Sequence, residues 1–413
     1  MLNWCNRFNI CAFLDNHQYN LQAHSYECLA GCGAYMQLTA GAGSAFEKLD
    51  AFMKEGGDDW YFGHFSYDLK AETEQVPSLH DDYTGFPDLC FFIPQVVLQL
   101  SSAELRIGVR TGDPESIWNE IRTMEVTTAH LPSQLQLRER VTREAYLHTI
   151  EQVQQHIVRG DCYELNYCME FYAEQAVLDP VSVYRQLVQV SPNPFSAFYK
   201  AGDSYLLCAS PERFLCKRGN KLLSQPIKGT AARQPDDTVA DELFRQTLSA
   251  SQKERSENVM VVDLVRNDLS RICTRGSVQV EELFGIYSFP QVHQMISTVS
   301  GEVQPGLSIA EMIKATFPMG SMTGAPKRRV LELTEAYEKS RRGIFSGAVG
   351  YVSPGGDFDF NVVIRSIMYN AAASYVSYMV GSGITWYANA SEEYEECLLK
   401  AKAIAKVLGG SVS

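Results

Sequence analysis

Lys228 is the residue of this sequence that first suggests chemistry, because its neighbours restrict the backbone. It lies in the segment Gln-Pro-Ile-Lys-Gly-Thr over 225–230. Proline fixes its own φ and glycine adopts dihedrals that other residues avoid, so the segment can hold one side chain at a defined angle. A lysine held in this way can clamp a phosphate or carboxylate, or act as a nucleophile. A solvated surface lysine is the alternative.

Two pairs of glutamates have a spacing that suits metal binding. Glu254 and Glu257 are three residues apart, and Glu393 and Glu396 repeat that spacing. In a helix this spacing puts both side chains of a pair on one face. Carboxylates on neighbouring turns repel unless water or a cation separates them, and oxygen ligands suit Mg²⁺. Two solvated acidic helix faces are the alternative.

Glu212 and His293 are candidates for proton transfer. Glu212 follows an apolar strand-like run in the triplet Ser-Pro-Glu over 210–212, 16 positions before Lys228. A carboxyl at a pocket mouth can act as a general acid if burial raises its pKa. His293 lies among apolar residues, where a hydrogen-bonded core histidine is the alternative to a catalyst.

Two glycine-containing segments are candidate anion sites. Residues 320–327 and the Gly381-Ser382-Gly383 turn each precede a predicted helix. The backbone N–H groups at a helix N-terminus bind anions. The first segment does not match the Walker A pattern, so a nucleotide site is not indicated.

The composition bounds the classes of partner. The 413 residues carry a formal net charge of -13, which argues against general nucleic-acid binding. An anionic substrate would therefore need a local positive site or a bound cation. The 11 cysteines include no C-x-x-C pair, so we expect reduced, buried thiols in a cytoplasmic protein. We expect no membrane association, because no apolar run reaches 18 residues and the N-terminus lacks a signal-peptide core.

Predicted elements place these side chains on hairpins and helices. Strand-like runs over 214–217 and 221–224 flank a turn, and the second leads directly to Lys228. A helical pattern over 241–272 and the last helix of the chain carry the two glutamate pairs. Hairpins separated by helices predict an α+β fold with largely antiparallel sheets.

Helix signals and a polar stretch divide the chain further. Thr142 and Gly160 are predicted to cap the two ends of one helix, and Ser308 with Glu311 forms a capping-box pattern. The polar stretch over 123–136 is a plausible linker. We predict an N-terminal α/β subdomain over 1–135 and a catalytic region over 136–413, packed together as one large domain.

Several segments of the chain match, in the same order, the motifs of one enzyme family. They are residues 160–166, 210–212, 226–230, 257–268, 317–327, 346–351, 361–365 and 381–400. In this combination the chain resembles the chorismate-utilising enzymes, which include anthranilate, aminodeoxychorismate, isochorismate and salicylate synthases. The resemblance runs from about Thr142 to Leu408 and is weak over the first 135 residues. It implies a fold of two facing, mainly antiparallel β-sheets flanked by helices.

The resemblance implies a magnesium ion and a chorismate pocket. Glu257 and Glu396 match the glutamates through which Mg²⁺ holds the ring carboxylate, with Glu254 and Glu393 as outer partners. Positions that match the substrate-binding and pocket-lining residues of the family are Arg365, Gly381, Gly383, Gly229 and Thr230. Glu212 matches the general acid that protonates the departing C4 hydroxyl, and His293 matches a histidine near that hydroxyl and the enolpyruvyl group.

The resemblance also implies which nucleophile acts. Water-using members carry a lysine where this chain has Glu164, so isochorismate and salicylate synthases are disfavoured. Anthranilate synthases usually have alanine at the position of Lys228 and histidine at that of Asn258, whereas aminodeoxychorismate synthases usually have this lysine. The implied mechanism is attack of Lys228 on ring C2, followed by attack of ammonia on C4. We expect burial beside Ile227 to lower the lysine pKa, because attack requires the uncharged amine.

Further expectations concern the partner and the departures from the family. Glu164 replaces a common glutamine, and Phe345 stands where relatives often have tyrosine. A glutaminase domain would need roughly 190 further residues, so we expect a separate glutamine amidotransferase subunit to supply ammonia. The product would be aminodeoxychorismate, upstream of p-aminobenzoate and folate. The alternatives are an anthranilate synthase large subunit and a non-catalytic chorismate-binding subunit.

Overall fold

The computed structural model describes residues 1–19, 26–125, 135–289 and 292–410. Its strands are β1 (Ile10–Asp15), β2 (Cys28–Ala40), β3 (Tyr61–Phe65), β4 (Leu89–Leu100), β5 (Leu105–Val109), β6 (Arg138–Glu139), β7 (Glu164–Ala173), β8 (Phe195–Ala201), β9 (Ser204–Ser210), β10 (Arg213–Arg218), β11 (Lys221–Gln225), β12 (Ile227–Ala232), β13 (Gln279–Ser288), β14 (Val292–Glu302), β15 (Gly324–Ala325), β16 (Ala348–Val352), β17 (Phe358–Asn361), β18 (Ser366–Asn370) and β19 (Tyr375–Ile384). Its α-helices are α1 (Leu2–Cys5), α2 (Ala45–Gly56), α3 (Lys70–Thr73), α4 (Pro114–Thr123), α5 (Arg143–Arg159), α6 (Pro180–Val190), α7 (Thr238–Ala250), α8 (Gln252–Ser270), α9 (Ile309–Thr316), α10 (Lys327–Tyr337) and α11 (Ala390–Val407).

The strands form one continuous path of antiparallel pairs. From one end the path runs β7–β19–β18–β9–β8–β1–β2–β4. It continues from β4 through β3–β16–β17–β10–β11–β14. Strand β12 also pairs with β14, beyond β11. The two ends of the path face each other, because Lys228 on β12 contacts Glu164 on β7. The predicted α+β class with facing, mainly antiparallel sheets flanked by helices is confirmed.

Two hydrophobic cores anchor the helices that carry the glutamate pairs. Val261 and Val265 fix α8 in a core that also holds the phenylalanines of β3 and β4. Cys397 and Ile404 fix α11 in a second core, together with Tyr146 of α5. Each helix is thus seated in a different core, and Lys253 of α8 contacts Glu393 of α11.

The helix ends follow local rules that the sequence predicts. Thr142 caps α5, and Gly160 ends it in the left-handed conformation at φ 82°. Ser308 and Glu311 form the predicted capping box of α9. The helical pattern predicted over 241–272 corresponds to two helices, α7 and α8, which are divided at Ser251. Ser251 has extended backbone between them and accepts a hydrogen bond from the Glu254 N–H, so it starts a new helix.

The N-terminal residues contribute strands to the same path. Strand β1 pairs with β8, and β3 pairs with β16. The predicted linker over 123–136 falls mostly on residues 126–134, outside the described part of the chain, so the boundary at 135 stays a prediction. Within the described residues, no helix combines the length and apolar character needed to span a bilayer.

Candidate active site

Lys228 and Glu164 form a buried ion pair at the point where the two ends of the strand path meet. Lys228 Nζ lies 2.6 Å from Glu164 Oε1. The side chains are 11% and 2% exposed, respectively. Lys228 is therefore not the solvated surface lysine that its sequence left as an alternative. It is held inside the molecule by a carboxylate from the opposite side of the site.

The charge on Lys228 is stabilised in this arrangement. Burial acts to lower the pKa of the ammonium group, but the carboxylates of Glu164 and Glu257 outweigh it, so the pKa is raised above its usual value. The expectation of a lowered pKa beside Ile227 is therefore wrong. It considered desolvation alone, whereas two carboxylates on other elements act on the same nitrogen.

Gly383 on β19 makes room for this group. A Cβ at this position would lie 2.9 Å from Lys228 Nζ, 3.0 Å from Glu164 Oε1 and 3.3 Å from Glu257 Oε2. Any larger residue would displace at least one of the three charged side chains. Gly381 is similarly crowded, since a Cβ there would lie 2.6 Å from Cys168 Sγ. The antiparallel pairing of β19 with β7 brings both glycines beside the strand that carries Glu164.

Glu212 is a buried carboxyl whose protonation suits the predicted role as an acid. It lies between β9 and β10 and is 4% exposed. Burial raises its pKa to about 7, although nearby Ser321 and the charge of Lys228 oppose the shift. A substantial fraction of this group is thus protonated near neutral pH, as a general acid requires. Glu212 and Lys228 lie near enough for each charge to act on the pKa of the other, and the acid role of Glu212 stays a prediction.

Arg365 borders the same region. It follows β17 and has a positive φ of 50°. Burial lowers its pKa to about 10 against the opposing charge of Glu212, so the guanidinium remains charged at neutral pH. Its predicted carboxylate-binding role stays a prediction, as do the pocket-lining roles of Gly229 and Thr230. Gly229 lies against α8, where a Cβ would be 2.8 Å from Glu254 Oε2, and Thr230 is exposed.

His293 takes part in a separate hydrogen-bonded group. Its Nδ1 is 2.8 Å from Ser288 Oγ, and its Nε2 is 3.1 Å from Asp241 Oδ1. Asp241 is held in turn by Arg233, whose Nε lies 2.9 Å from Oδ1. Both ring nitrogens are thus engaged, and neither Lys228 nor Glu212 is among their hydrogen-bond partners. These contacts match the core histidine that the sequence left as the alternative, and the catalytic role stays a prediction.

The glutamate pairs lie on α8 and α11, which contact one another. Both glutamates of the α11 pair form ion pairs with lysines. Lys253 Nζ on α8 is 2.8 Å from Glu393 Oε1 on α11, and Ser382 donates to the other oxygen of Glu393. Lys400 Nζ is 2.7 Å from Glu396 Oε1. Among the described residues, no group of three or more acidic, histidine or cysteine side chains is arranged for a metal ion.

The chemistry of the four carboxylates nevertheless fits a cation. Glu257 is 7% exposed, and its Oε1 is buried without a hydrogen-bond partner among the described residues. Burial raises the pKa of Glu257 to about 7 and also raises that of Glu254. For Glu396, burial acts in the same direction, but the charge of Lys400 outweighs it and the pKa is lowered. An unsatisfied buried carboxylate oxygen beside further carboxylates is a position that a divalent cation can occupy.

Comparison with known proteins assigns this chain to a family. The family model described as chorismate binding enzyme matches residues 13–406. This chain belongs to the chorismate-binding enzyme family.

Individual relatives agree with that assignment. The chain is 35% identical over 345 residues to aminodeoxychorismate synthase component 1 of Klebsiella aerogenes, covering 83% of this chain and 75% of the relative. It is 33% identical over 357 residues to an anthranilate synthase component I-like protein of Synechocystis, covering 85% and 73%. Anthranilate synthase component I of Streptococcus pneumoniae has the same fold, with a TM-score of 0.79, 24% identity and 94% coverage of both chains.

Sequence reasoning about this chorismate-binding enzyme named Glu164 as a departure but missed its contact with Lys228. It also missed Arg342, which is 2% exposed. Arg342 donates 2.8 Å hydrogen bonds to the carbonyls of Asn166 and Met322, and so ties β7 to the turn that holds Ser321. Its neighbours Ser340, Arg341 and Gly343 suggest a surface turn, and no local signal indicates that it is buried.

The segment over 320–327 supports the backbone of Glu164, and the anion site predicted for this segment stays a prediction. Its strand β15 pairs with β7, and a Cβ on Gly324 would lie 2.0 Å from the Glu164 carbonyl oxygen. Lys327 is buried and its Nζ lies 2.6 Å from Asp268 Oδ2. Glycine at 324 therefore permits the close approach that fixes the backbone of Glu164.

Proposed function

We propose that this enzyme replaces the C4 hydroxyl of chorismate with an amino group, as the large component of an aminodeoxychorismate synthase. The observation that carries the proposal is a buried lysine, Lys228, close to the buried carboxyl of Glu212. Lysine at this position, in place of alanine, is what distinguishes aminodeoxychorismate synthases from anthranilate synthases in the resemblance described above. The similarity to a Klebsiella aerogenes protein of that name supports the same choice.

The proposed reaction begins with loss of the C4 hydroxyl. Glu212 donates a proton to the hydroxyl, because hydroxide is a poor leaving group whereas water leaves readily. The uncharged amine of Lys228 attacks C2, and both conjugated ring double bonds shift as water departs from C4. Ammonia then attacks C4, both double bonds shift back, and Lys228 is expelled from C2. Arg365 balances negative charge on the substrate.

We assign a magnesium site to Glu257 and Glu396, with Glu254 and Glu393 as outer ligands. Two observations support this assignment: Oε1 of Glu257 has no hydrogen-bond partner in the described part of the chain, and the pKa values of Glu254 and Glu257 on α8 are raised. When bound, the ion would offset the carboxylates and attract the ring carboxylate of the substrate. Such a cation explains how a chain with a formal net charge of -13 can hold an anionic substrate.

We further propose that ammonia comes from a separate glutamine amidotransferase subunit and that the enzyme works in the cytoplasm. The 11 cysteines support a reducing compartment, because all of them are free and buried. Mixing the chain with a cognate glutaminase subunit should produce a complex on gel filtration and allow glutamine to replace ammonium. Absence of both effects would refute the partner.

The product of chorismate, Mg²⁺ and ammonium tests the proposed activity. With aminodeoxychorismate lyase added afterwards, p-aminobenzoate should form, and without lyase it should not. Anthranilate fluorescence in the absence of lyase would identify the enzyme as an anthranilate synthase instead. No consumption of chorismate under any of these conditions would favour the non-catalytic subunit.

A further inference from the structure

Glu164 is in direct contact with the atom that the proposed mechanism makes reactive. Its Oε1 accepts a 2.6 Å hydrogen bond from Lys228 Nζ. Its other oxygen, Oε2, is buried and has no hydrogen-bond partner within the described residues. The side chain is 2% exposed, so bulk water has little access to it. Glu164 is therefore a carboxylate that accepts a hydrogen bond from the lysine through one oxygen and can take up a proton.

The ammonium form of Lys228 has no lone pair and cannot attack a carbon atom. The surrounding carboxylates favour that form, so a proton must leave Nζ before or during attack. A base has to lie within hydrogen-bonding distance of the proton that it removes. Glu257 and Glu212 act on Lys228 through their charges, but in the described residues the ion pair of Nζ is with Glu164.

Glu164 is also held in place from several directions. Its backbone lies in β7, where Ala325 of β15 is its partner in the register. The Tyr163 N–H donates to the Ala325 carbonyl over 2.8 Å, and the Asn166 N–H donates to the Thr323 carbonyl over 2.8 Å. Gly383 leaves room for the carboxylate to reach the lysine. Glu164 is thus fixed by a paired strand opposite the strand that carries Lys228, and a fixed donor–acceptor geometry favours proton transfer.

We propose that Glu164 is the catalytic base that accepts the proton of Lys228 during attack on the ring, an inference that rests on the proposed amination. One Nζ–H bond breaks and one Oε1–H bond forms, which leaves an amine and a neutral carboxyl. Rotation about the Cε–Nζ bond turns the lone pair toward C2. The C2–N bond then forms, both conjugated ring double bonds shift by one position, and the C4–O bond breaks as Glu212 supplies a proton to make water.

The second half of the cycle restores both groups. Ammonia forms the C4–N bond, both double bonds shift back, and the C2–N bond breaks to release Lys228 as a neutral amine. Glu164 returns its proton to that amine, which regenerates the ion pair. The new C4 ammonium gives one proton to Glu212, which regenerates the acid. The sum is chorismate plus ammonia giving aminodeoxychorismate plus water, with no other reactant.

Two variants at position 164 separate a base from a structural partner. Glu164→Gln keeps the size and a hydrogen-bond acceptor but removes the basic oxygen. Glu164→Ala leaves a space that formate or formamide can fill, and the two molecules match in size although only formate is a base. Glu174→Gln serves as the control, because Glu174 follows the same strand and has an exposed side chain. Thermal melting and equilibrium chorismate binding with Mg²⁺ check that each variant is folded.

The expected results concern rate and rescue. Glu164→Gln should lower kcat for ammonium-dependent amination by about a hundredfold or more, with chorismate binding changed less than threefold. Formate should raise the amination rate of Glu164→Ala at least tenfold, and formamide should not. Glu174→Gln should match the unmodified enzyme and show no response to formate.

Other outcomes overturn the inference in distinguishable ways. If Glu164→Gln is as fast as the unmodified enzyme, or faster, Glu164 merely holds the ammonium ion, while the proposed function stands. Equal rescue by formamide would show that it fills space and does not act as a base. If the unmodified enzyme does not aminate chorismate at all, the proposed function fails and the assignment of Glu164 fails with it.

Discussion

Lys253 Nζ lies 2.8 Å from Glu393 Oε1 and so joins α8 to α11, the two helices that carry the proposed magnesium ligands. The lysine is 38% exposed, whereas Glu393 is 2% exposed. A positive charge is thus present where the sequence suggests an outer metal ligand. The lysine and the metal ion would compete for the same carboxylate.

Removing that competition should strengthen magnesium binding. Lys253→Gln is expected to lower the Mg²⁺ dissociation constant about two- to fivefold, since a partly exposed ion pair contributes about 0.5–1 kcal/mol. Isothermal titration without substrate provides the measurement. Lys339→Gln, at an exposed lysine beyond α10, is the control and should change nothing. Weaker binding in Lys253→Gln would mean that Lys253 positions Glu393 for the metal.

Chelation should abolish activity without unfolding the protein. The two glutamate helices are seated in separate hydrophobic cores, so the fold does not depend on a metal bridge. With excess EDTA we expect loss of at least about 90% of amination, full recovery on adding Mg²⁺, and a melting temperature changed by less than about 3 °C. Turnover that survives complete chelation would contradict the magnesium assignment.

Lys228→Ala should remove the nucleophile. We expect amination to fall on the order of a thousandfold or more, as for other enzymes that lose a covalent nucleophile, while the variant stays folded. Lys221→Ala is a suitable control, because Lys221 lies on the neighbouring strand and is 54% exposed. Mass spectrometry of the unmodified enzyme quenched during turnover without ammonium should detect a ring adduct on Lys228. Unchanged turnover in Lys228→Ala would exclude the covalent mechanism.

Glu212 should give activity an upper pH limit near neutrality. The group must be protonated to act as an acid, and burial raises its pKa to about 7, so kcat/KM should fall as pH rises above about 7. Glu212→Gln should lower kcat/KM by about a hundredfold or more and remove this limb. If kcat/KM of Glu212→Gln still fell at the same pH, the titrating group would be another residue.

The same carboxyl should reduce stability at high pH. A folded-state pKa raised from 4.5 to about 7 means that stability is fully present below about 4.5 and is lost as pH rises through about 7. Glu212→Gln avoids this loss and should be more stable than the unmodified enzyme at pH 8 by up to about 3 kcal/mol, with the difference shrinking at pH 5. Urea denaturation at the two pH values measures it. An equal difference at both would show that ionisation is not its cause.

Gly383→Ala should lower activity without unfolding the protein. The added Cβ would meet the ends of the Lys228 and Glu164 side chains, which can shift, so the fold should survive while the ion pair is displaced. We expect amination to fall about tenfold or more, because small misplacements of reacting groups are costly. Gly41→Ala is the control, since its Cβ would meet only Asp88 Oδ2 at 3.7 Å. Normal activity in Gly383→Ala would indicate that the pair need not be held as described.

The sequence by itself determined much about this protein. Hairpins, helix caps such as Ser308 and the antiparallel α+β class follow from local rules that act within a few residues. The order of its motifs identified the family, and the identities of Lys228, Glu212, Glu257 and Glu396 indicated a chorismate site. These inferences need only residue types and spacing, which the chain displays directly.

Tertiary structure decided how those residues influence one another. Glu164 and Lys228 are separated by 64 positions and meet only because the two ends of the strand path face each other. That contact raises the lysine pKa where local burial alone predicts a lower one. The Asp241 contact of His293, the contact of Lys253 with Glu393 and the burial of Arg342 depend on the same long-range packing. Electrostatic effects sum over all neighbours in space, and sequence spacing does not reveal which neighbours those are.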